Sequence, residues 1–129
     1  MIAHVQTADG LAVVDLEEET VLELDPGATI ETALPPALSL PRVITAAEAG
    51  STIVAVVDTK PPLVVSHDAG RTWRESGRGL PGGRAVAISP DDPDVVLYAT
   101  RNRLYLSRDG GRFWRSLALE LPEIEGLAL

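Results

Sequence analysis

The octet SRDGGRFW, residues 107–114, decides how the rest of the chain is interpreted, because a similar octet occurs earlier in the chain. Residues 66–73 are SHDAGRTW, with serine, aspartate, glycine, arginine and tryptophan at the same spacings. Each shared residue lies 41 positions from its counterpart. A fixed period of this length indicates a repeated structural unit, so we predict that the octet is a recurring turn and not an active site. The aligned pairs are Ser66 with Ser107, Asp68 with Asp109, Gly70 with Gly111, and Trp73 with Trp114.

Leucine–proline pairs extend the repeat in both directions. Leu80-Pro81 and Leu121-Pro122 lie 41 positions apart, and Leu40-Pro41 lies 40 positions before Leu80. Each pair precedes an apolar segment, and a chain of 129 residues has the size of one domain with a single core. The predicted units are residues 1–39, 40–79 and 80–120, followed by a closing segment at 121–129.

Each complete unit is predicted to contain four short strands, called A to D. The segments are apolar and β-branched, and turns rich in Pro, Asp and Gly separate them. The three prolines of TALPPALSLP, residues 32–41, exclude a regular helix there, and no segment keeps a helical period of 3.6 residues. The predicted strands are 42–47, 52–57, 63–66 and 72–76 in one unit, and 84–89, 95–100, 104–107 and 113–119 in the next.

The first and last units are incomplete. Residues 3–7, 11–15 and 20–25 have the pattern of strands B, C and D without a strand A, and residues 125–129 have that of an isolated strand A. The last strand is therefore predicted to complete an N-terminal unit by backbone hydrogen bonds, and we expect that of a second chain in preference to that of its own.

Four antiparallel strands repeated at about 40–45 residues are typical of the blades of a β-propeller. The fold prediction is therefore all-β, with about three propeller blades in the chain. Propellers have about four to eight blades, so three blades are too few for a closed ring. We expect two chains to form a homodimer, which would be a six-bladed propeller.

The two octets resemble the Asp-box, S-x-D-x-G-x-x-W, of the BNR-repeat, sialidase-like β-propellers; similar boxes occur in sortilin-like receptors and YCF48-like proteins. The resemblance implies that the box is a structural turn on the side of the propeller away from the ligand. In the first unit the box positions hold Val14, Leu16, Glu18 and Val21, so no turn of this type is expected there.

The composition limits the class of protein. The net charge is −8, which argues against a nucleic-acid-binding protein because like charge repels the phosphate backbone. The chain has no cysteine, and no apolar run is long enough to span a membrane. The first ten residues do not have the pattern of a signal peptide, so we expect a cytoplasmic protein with no membrane partner.

Other motifs carry little chemistry. His4 and His67 are the only histidines, and their spacing is not that of metal ligands. Residues 77–84, GRGLPGGR, lack the Lys-Ser/Thr of a phosphate-binding loop. The arginine triad and other catalytic residues of sialidases have no counterpart that can be assigned here. We therefore predict no catalytic residue, no metal site and no cofactor.

The loops after strands B and D are expected to share one face of the propeller, opposite the octets. An anionic ligand on this face is one interpretation, and arginines kept for solubility are the other. The sequence favours a non-catalytic binding or scaffold module whose ligand is a protein or a small molecule. The alternative is a glycan-binding or glycoside-hydrolase-like protein related to sialidases. The candidate ligand-binding residues are Lys60, Arg78, Arg84, Arg101, Asn102 and Arg103.

Overall fold

The computed structural model describes residues 1–30 and 35–129. Twelve β-strands and no helix occur in these residues. Residues 35–41 contain neither strand nor helix, whereas residues 32–34 of the proline-rich segment lie outside the described part. The strands are β1 (Ile2–Thr7), β2 (Gly10–Asp15), β3 (Thr20–Asp25), β4 (Val43–Ala49), β5 (Thr52–Val57), β6 (Leu63–Ser66), β7 (Arg74–Ser76), β8 (Ala85–Ile88), β9 (Val96–Ala99), β10 (Leu104–Ser107), β11 (Arg115–Ser116) and β12 (Ile124–Ala128).

The strands form three four-stranded antiparallel sheets. The first sheet has the order β12-β1-β2-β3, the second β4-β5-β6-β7, and the third β8-β9-β10-β11. Neighbouring strands in the chain pair with each other in every sheet, as hairpins joined by short turns allow. The predicted all-β class, with four-stranded antiparallel sheets as propeller blades, is confirmed.

The last strand completes the first sheet of its own chain, so the expectation that it completes that of a second chain is wrong. In the pairing of β12 with β1, Val5 lies opposite Leu127 and Thr7 opposite Ile124. The side chains of Val5 and Ile124 are fully buried. The two ends of the chain are thereby joined by backbone hydrogen bonds and by the core.

The third sheet lies between the other two. One face of it packs against the first sheet, in a core that includes Leu97, Leu104 and Ile124. The opposite face packs against the second sheet through Val56 and Tyr98. Strand β8 contacts both β4 and β12, so the first strands of the three sheets lie side by side.

Tyr98 is the largest fully buried side chain. Its ring lies 6.0 Å from that of Trp114 between centroids, in an edge-on arrangement, and its hydroxyl donates to the carbonyl oxygen of Pro81 at 2.7 Å. A Cβ atom at Gly83 would lie 2.0 Å from the Tyr98 ring, so only glycine fits there. Burial raises the pKa of Tyr98.

A long connection leads from the first sheet to the second. It spans residues 26–42, whereas the connections into β8 and β12 span only residues 77–84 and 117–123. Pro35 and Pro36 border a cavity of about 420 Å³ that β4, β8 and β12 line.

The outer strands are shorter than the predicted segments 72–76 and 113–119. The backbone N–H of Thr72 donates to the Asp68 carboxylate at 2.9 Å, and that of Phe113 donates to Asp109 at 3.0 Å. These N–H groups are occupied by the turn, so β7 begins at Arg74 and β11 at Arg115.

Within the described residues there is no helix long and apolar enough to cross a membrane.

Replacing the buried Ile124 of β12 tests whether this strand is part of the core. Ile124→Ala should lower the free energy of unfolding by about 2–5 kcal/mol, the usual cost of removing a buried aliphatic side chain. Glu125→Ala, at the next and exposed position, should change it by less than about 0.5 kcal/mol. Urea denaturation measures both, and equal effects would show that β12 is not packed as described.

Candidate functional site

The first octet forms a turn that is held by its own side chains. The Ser66 hydroxyl donates to the Asp68 carboxylate at 2.8 Å and accepts from the Gly70 N–H at 2.8 Å. The carboxylate also accepts from the N–H of Thr72 at 2.9 Å and from its hydroxyl at 2.5 Å. Gly70 has a φ of +89°, a region that favours glycine.

The second octet repeats these bonds. Ser107 donates to Asp109 at 2.8 Å and accepts from the Gly111 N–H at 2.9 Å. Asp109 accepts from the N–H groups of Arg112 at 3.1 Å and Phe113 at 3.0 Å. Both aspartates therefore close their own turns, as hydroxyl and carboxylate side chains in turns commonly do.

The tryptophans of the two octets have different partners. The indole N–H of Trp114 donates to the Ser76 hydroxyl in the second sheet at 3.0 Å, and that hydroxyl donates to the Gly111 carbonyl oxygen. The indole N–H of Trp73 instead donates to the Gly70 carbonyl oxygen of its own turn at 3.1 Å. Trp114 thus bridges two sheets, whereas Trp73 bonds within one.

The hydrogen bonds keep the two turn carboxylates ionised. The bond from the Thr72 hydroxyl is the largest contribution that lowers the pKa of Asp68 from 3.8 to about 2. The bond from the Phe113 N–H is the largest that lowers the pKa of Asp109. Such carboxylates serve the turn and are poor proton donors at neutral pH.

The candidate ligand face contains two separate groups of cations. In the first group, Arg84 pairs with Glu123 at 2.8 Å and Arg101 approaches the same carboxylate at 3.6 Å. Arg103 pairs with Glu120 at 3.1 Å. The carboxylates of the connection before β12 therefore lie against three of the predicted ligand-binding arginines. Asn102, at the same loop, donates to the Leu121 carbonyl oxygen at 2.8 Å.

The second group consists of Lys60 and Arg78. They line a cavity of about 230 Å³ between the loop after β5 and the loop after β7. Both residues are exposed, and neither forms an ion pair within the described part of the chain. The structure thus separates the six predicted ligand-binding residues into a paired group and a free pair.

The two histidines lie apart from both groups. His67 faces Thr52, with 3.3 Å between its Nδ1 atom and the Thr52 hydroxyl, and it lies beside the Gly110 turn of the third sheet. His4 is exposed on β1. Among the residues that the structure describes, no group of three or more His, Asp or Glu side chains could hold a metal ion.

Sequence reasoning missed the role of the turn between β2 and β3. Asp15 accepts from the N–H groups of Glu17 at 2.9 Å and Glu18 at 3.0 Å, so a different aspartate closes this turn. Glu17 and Glu19 then pair with Arg108 and Arg115 of the third sheet at 3.3 and 3.0 Å. The sequence signal for this turn is an aspartate at the end of a strand, directly before a polar turn.

Two solved structures are similar to this chain. The structure of YCF48 bound to D1 peptide is 21% identical over 94% of this chain and 38% of that chain, with a TM-score of 0.52. The GH74 enzyme of Niastella koreensis is 23% identical over 92% of this chain and 17% of that chain, with a TM-score of 0.49. This chain therefore spans less than half of either. The first similarity supports a β-propeller-like fold.

No family model matches the chain, and no curated protein matches it either. At these identities, the likeness to the two solved structures concerns the fold alone.

The turn carboxylate of Asp68 predicts a specific dependence of stability on pH. Its folded pKa lies below the ordinary value, so its stabilising effect is complete above about pH 4 and is lost as the pH falls through about 2. An NMR titration of the side chain should give a pKa of about 2 that rises in Thr72→Ala, since the largest cause is then removed. An unchanged pKa in Thr72→Ala would contradict this assignment.

Proposed function

We propose that this protein is a non-catalytic binding or scaffold module, that its sheets are propeller blades of the Asp-box type, and that two copies complete a six-bladed ring. The two octet turns support the Asp-box assignment, because the serine, aspartate and glycine make equivalent bonds in both. One observation supports the ring: among the described residues, the first and the second sheet each have one face packed on the third sheet and one face without a neighbouring sheet.

The free face of the second sheet repeats a face that is packed in the third sheet. Ala55, Val57, Val64 and Trp73 lie 41 positions before residues of the third sheet that pack against the second. Val64 alternates along β6 with the buried Leu63 and Val65, so it points to the opposite side. Ala55 and Val57 are already buried in the single chain, so the half-buried Val64 and Trp73 are the residues of this set that a further sheet would cover. The counterparts in the third sheet are Val96, Tyr98, Tyr105 and Trp114.

The first sheet also has a free face, which in the proposed ring would pack on the free face of the second sheet of the other copy. Along β1 and β2, the buried residues Ala3, Val5, Ala12 and Val14 face the third sheet. The residues between them are exposed or half-buried and face away from it. Ile2, for example, is 40% exposed. These outward residues are Ile2, His4, Gln6, Leu11 and Val13, of which Gln6 accepts a hydrogen bond from the Ile30 N–H of the same chain at 3.0 Å.

Two copies meet this geometry because the first sheet of each would pack on the second sheet of the other. Six blades lie within the range of about four to eight that closed propellers use, whereas three copies would give nine. In the ring, Trp73 would occupy a sheet interface, as Trp114 does in the single chain. The loops with the candidate ligand-binding residues would then lie on one face of the ring.

The oligomeric state is the first test of the proposed ring. Light scattering coupled to size exclusion should give twice the chain mass. Val13→Asp and Val64→Asp should each give a folded monomer, since each places a charge on one free face. Ala8→Asp, in the exposed turn between β1 and β2, is the matched control and should remain a dimer. A wild-type monomer at high concentration would refute the ring.

Mixing the two variants distinguishes this ring from other dimers. In a mixed dimer, one interface carries both aspartates and the other carries neither. The mixture of Val13→Asp and Val64→Asp should therefore associate more strongly than either variant alone. A dimer in which the same patch meets itself would show no such recovery.

The binding role is tested against the glycan-active alternative. We expect no release of sugar from aryl glycosides and no binding on a glycan array. The alternative predicts glycan binding that weakens in Arg101→Ala and Arg103→Ala. The glutamate partners of these arginines argue against it, because a ligand would have to displace Glu123 or Glu120. Specific glycan binding that is lost in both variants would replace the present proposal.

A further inference from the structure

The cavity between the second-sheet loops combines two cations with apolar walls. Its volume is about 230 Å³. This is less than the roughly 300–1,000 Å³ of sites for drug-sized ligands, so it suits one or two side chains of a ligand. The lining residues are Lys60, Pro61, Pro62, Arg78, Gly79 and Leu80.

Within the described residues, neither cation has a carboxylate partner, and for Arg78 this agrees with the composition of the connections between sheets. Residues 117–123, which follow the third sheet, contain Glu120 and Glu123 and no cation. Residues 77–84, which follow the second sheet at the equivalent position, contain two arginines and no carboxylate. Within the described residues, Asp58 of the adjacent loop forms no ion pair with either cation.

The walls of the cavity are held in place before any ligand arrives. The Val57 N–H donates to the Pro62 carbonyl oxygen at 2.8 Å, and the Leu80 N–H donates to the Gly77 carbonyl oxygen at 2.9 Å. A Cβ atom at Gly77 would lie 3.1 Å from the Leu63 side chain, so this turn is packed against the sheet. A preformed site loses little conformational entropy on binding.

We propose that this cavity, which we call the Lys60–Arg78 cleft, binds a carboxylate side chain next to an apolar one in an extended acidic peptide. The guanidinium of Arg78 offers a planar fork for a carboxylate, and the ammonium of Lys60 adds a compact charge. Pro61, Pro62 and Leu80 supply apolar surface for the neighbouring side chain. The inference rests on the proposed binding function, and it names the class of ligand that the face with the candidate ligand-binding residues would bind.

Fluorescence anisotropy with a labelled peptide, Ala-Leu-Glu-Leu-Ala with both ends capped, tests the cleft. The matched peptide with Gln in place of Glu should bind about tenfold more weakly, as expected for one charged hydrogen bond. Lys60→Gln and Arg78→Gln should each cause a similar loss. Arg112→Gln, an exposed arginine in the turn on the opposite side, is the control and should bind as the wild type does.

The outcomes separate the possible sources of anion binding. Equal binding of the Glu and Gln peptides would overturn the proposal, and so would an equal loss in Arg112→Gln. Inorganic phosphate that displaces the peptide at the same concentration as acetate would indicate a general anion site and would also overturn it. The mass measured by light scattering is independent of these variants, so failure of the cleft and failure of the ring are distinguishable.

Discussion

Backbone pairing between β12 and β1 joins the two ends of the chain in one sheet, and the order of all three sheets depends on it. Because β12 follows the third sheet directly, this pairing places the first sheet against the third. The second sheet packs on the opposite face of the third sheet. One set of strand hydrogen bonds therefore determines both packed interfaces and both free faces.

The turn carboxylates determine where the outer strands begin. Asp68 and Asp109 accept the backbone N–H groups of Thr72 and Phe113, and Trp114 packs against the core between the second and third sheets. The tryptophans that follow the two turns form different hydrogen bonds because the surroundings of the turns differ. Trp114 meets Ser76 of a neighbouring sheet, whereas Trp73 has no such neighbour among the described residues and bonds within its turn.

Part of the strand pattern could be predicted from the sequence, because it is local. Residues 20–25, 52–57, 63–66 and 104–107 are strands as predicted, whereas β9 is shorter than the predicted 95–100, and β1 and β2 each begin one residue earlier than predicted. Strands β7 and β11 begin later than predicted because the preceding turns occupy backbone N–H groups there. The pairing of Arg84 and Arg103 with glutamates could not be predicted from the sequence. It depends on how far side chains reach between loops that are distant in sequence.

The differences between the second and third units say more about binding than their similarities do. The shared octet is used within its own turn, so repetition marks the scaffold. The connections 77–84 and 117–123 take equivalent positions but carry opposite charge, so the loop face is neutralised at one sheet and cationic at the next. Salt screens charges beyond about 8–10 Å, so the net charge of −8 opposes distant anions only weakly. We therefore expect the local charges of Lys60 and Arg78 to govern a ligand carboxylate that reaches the proposed cleft.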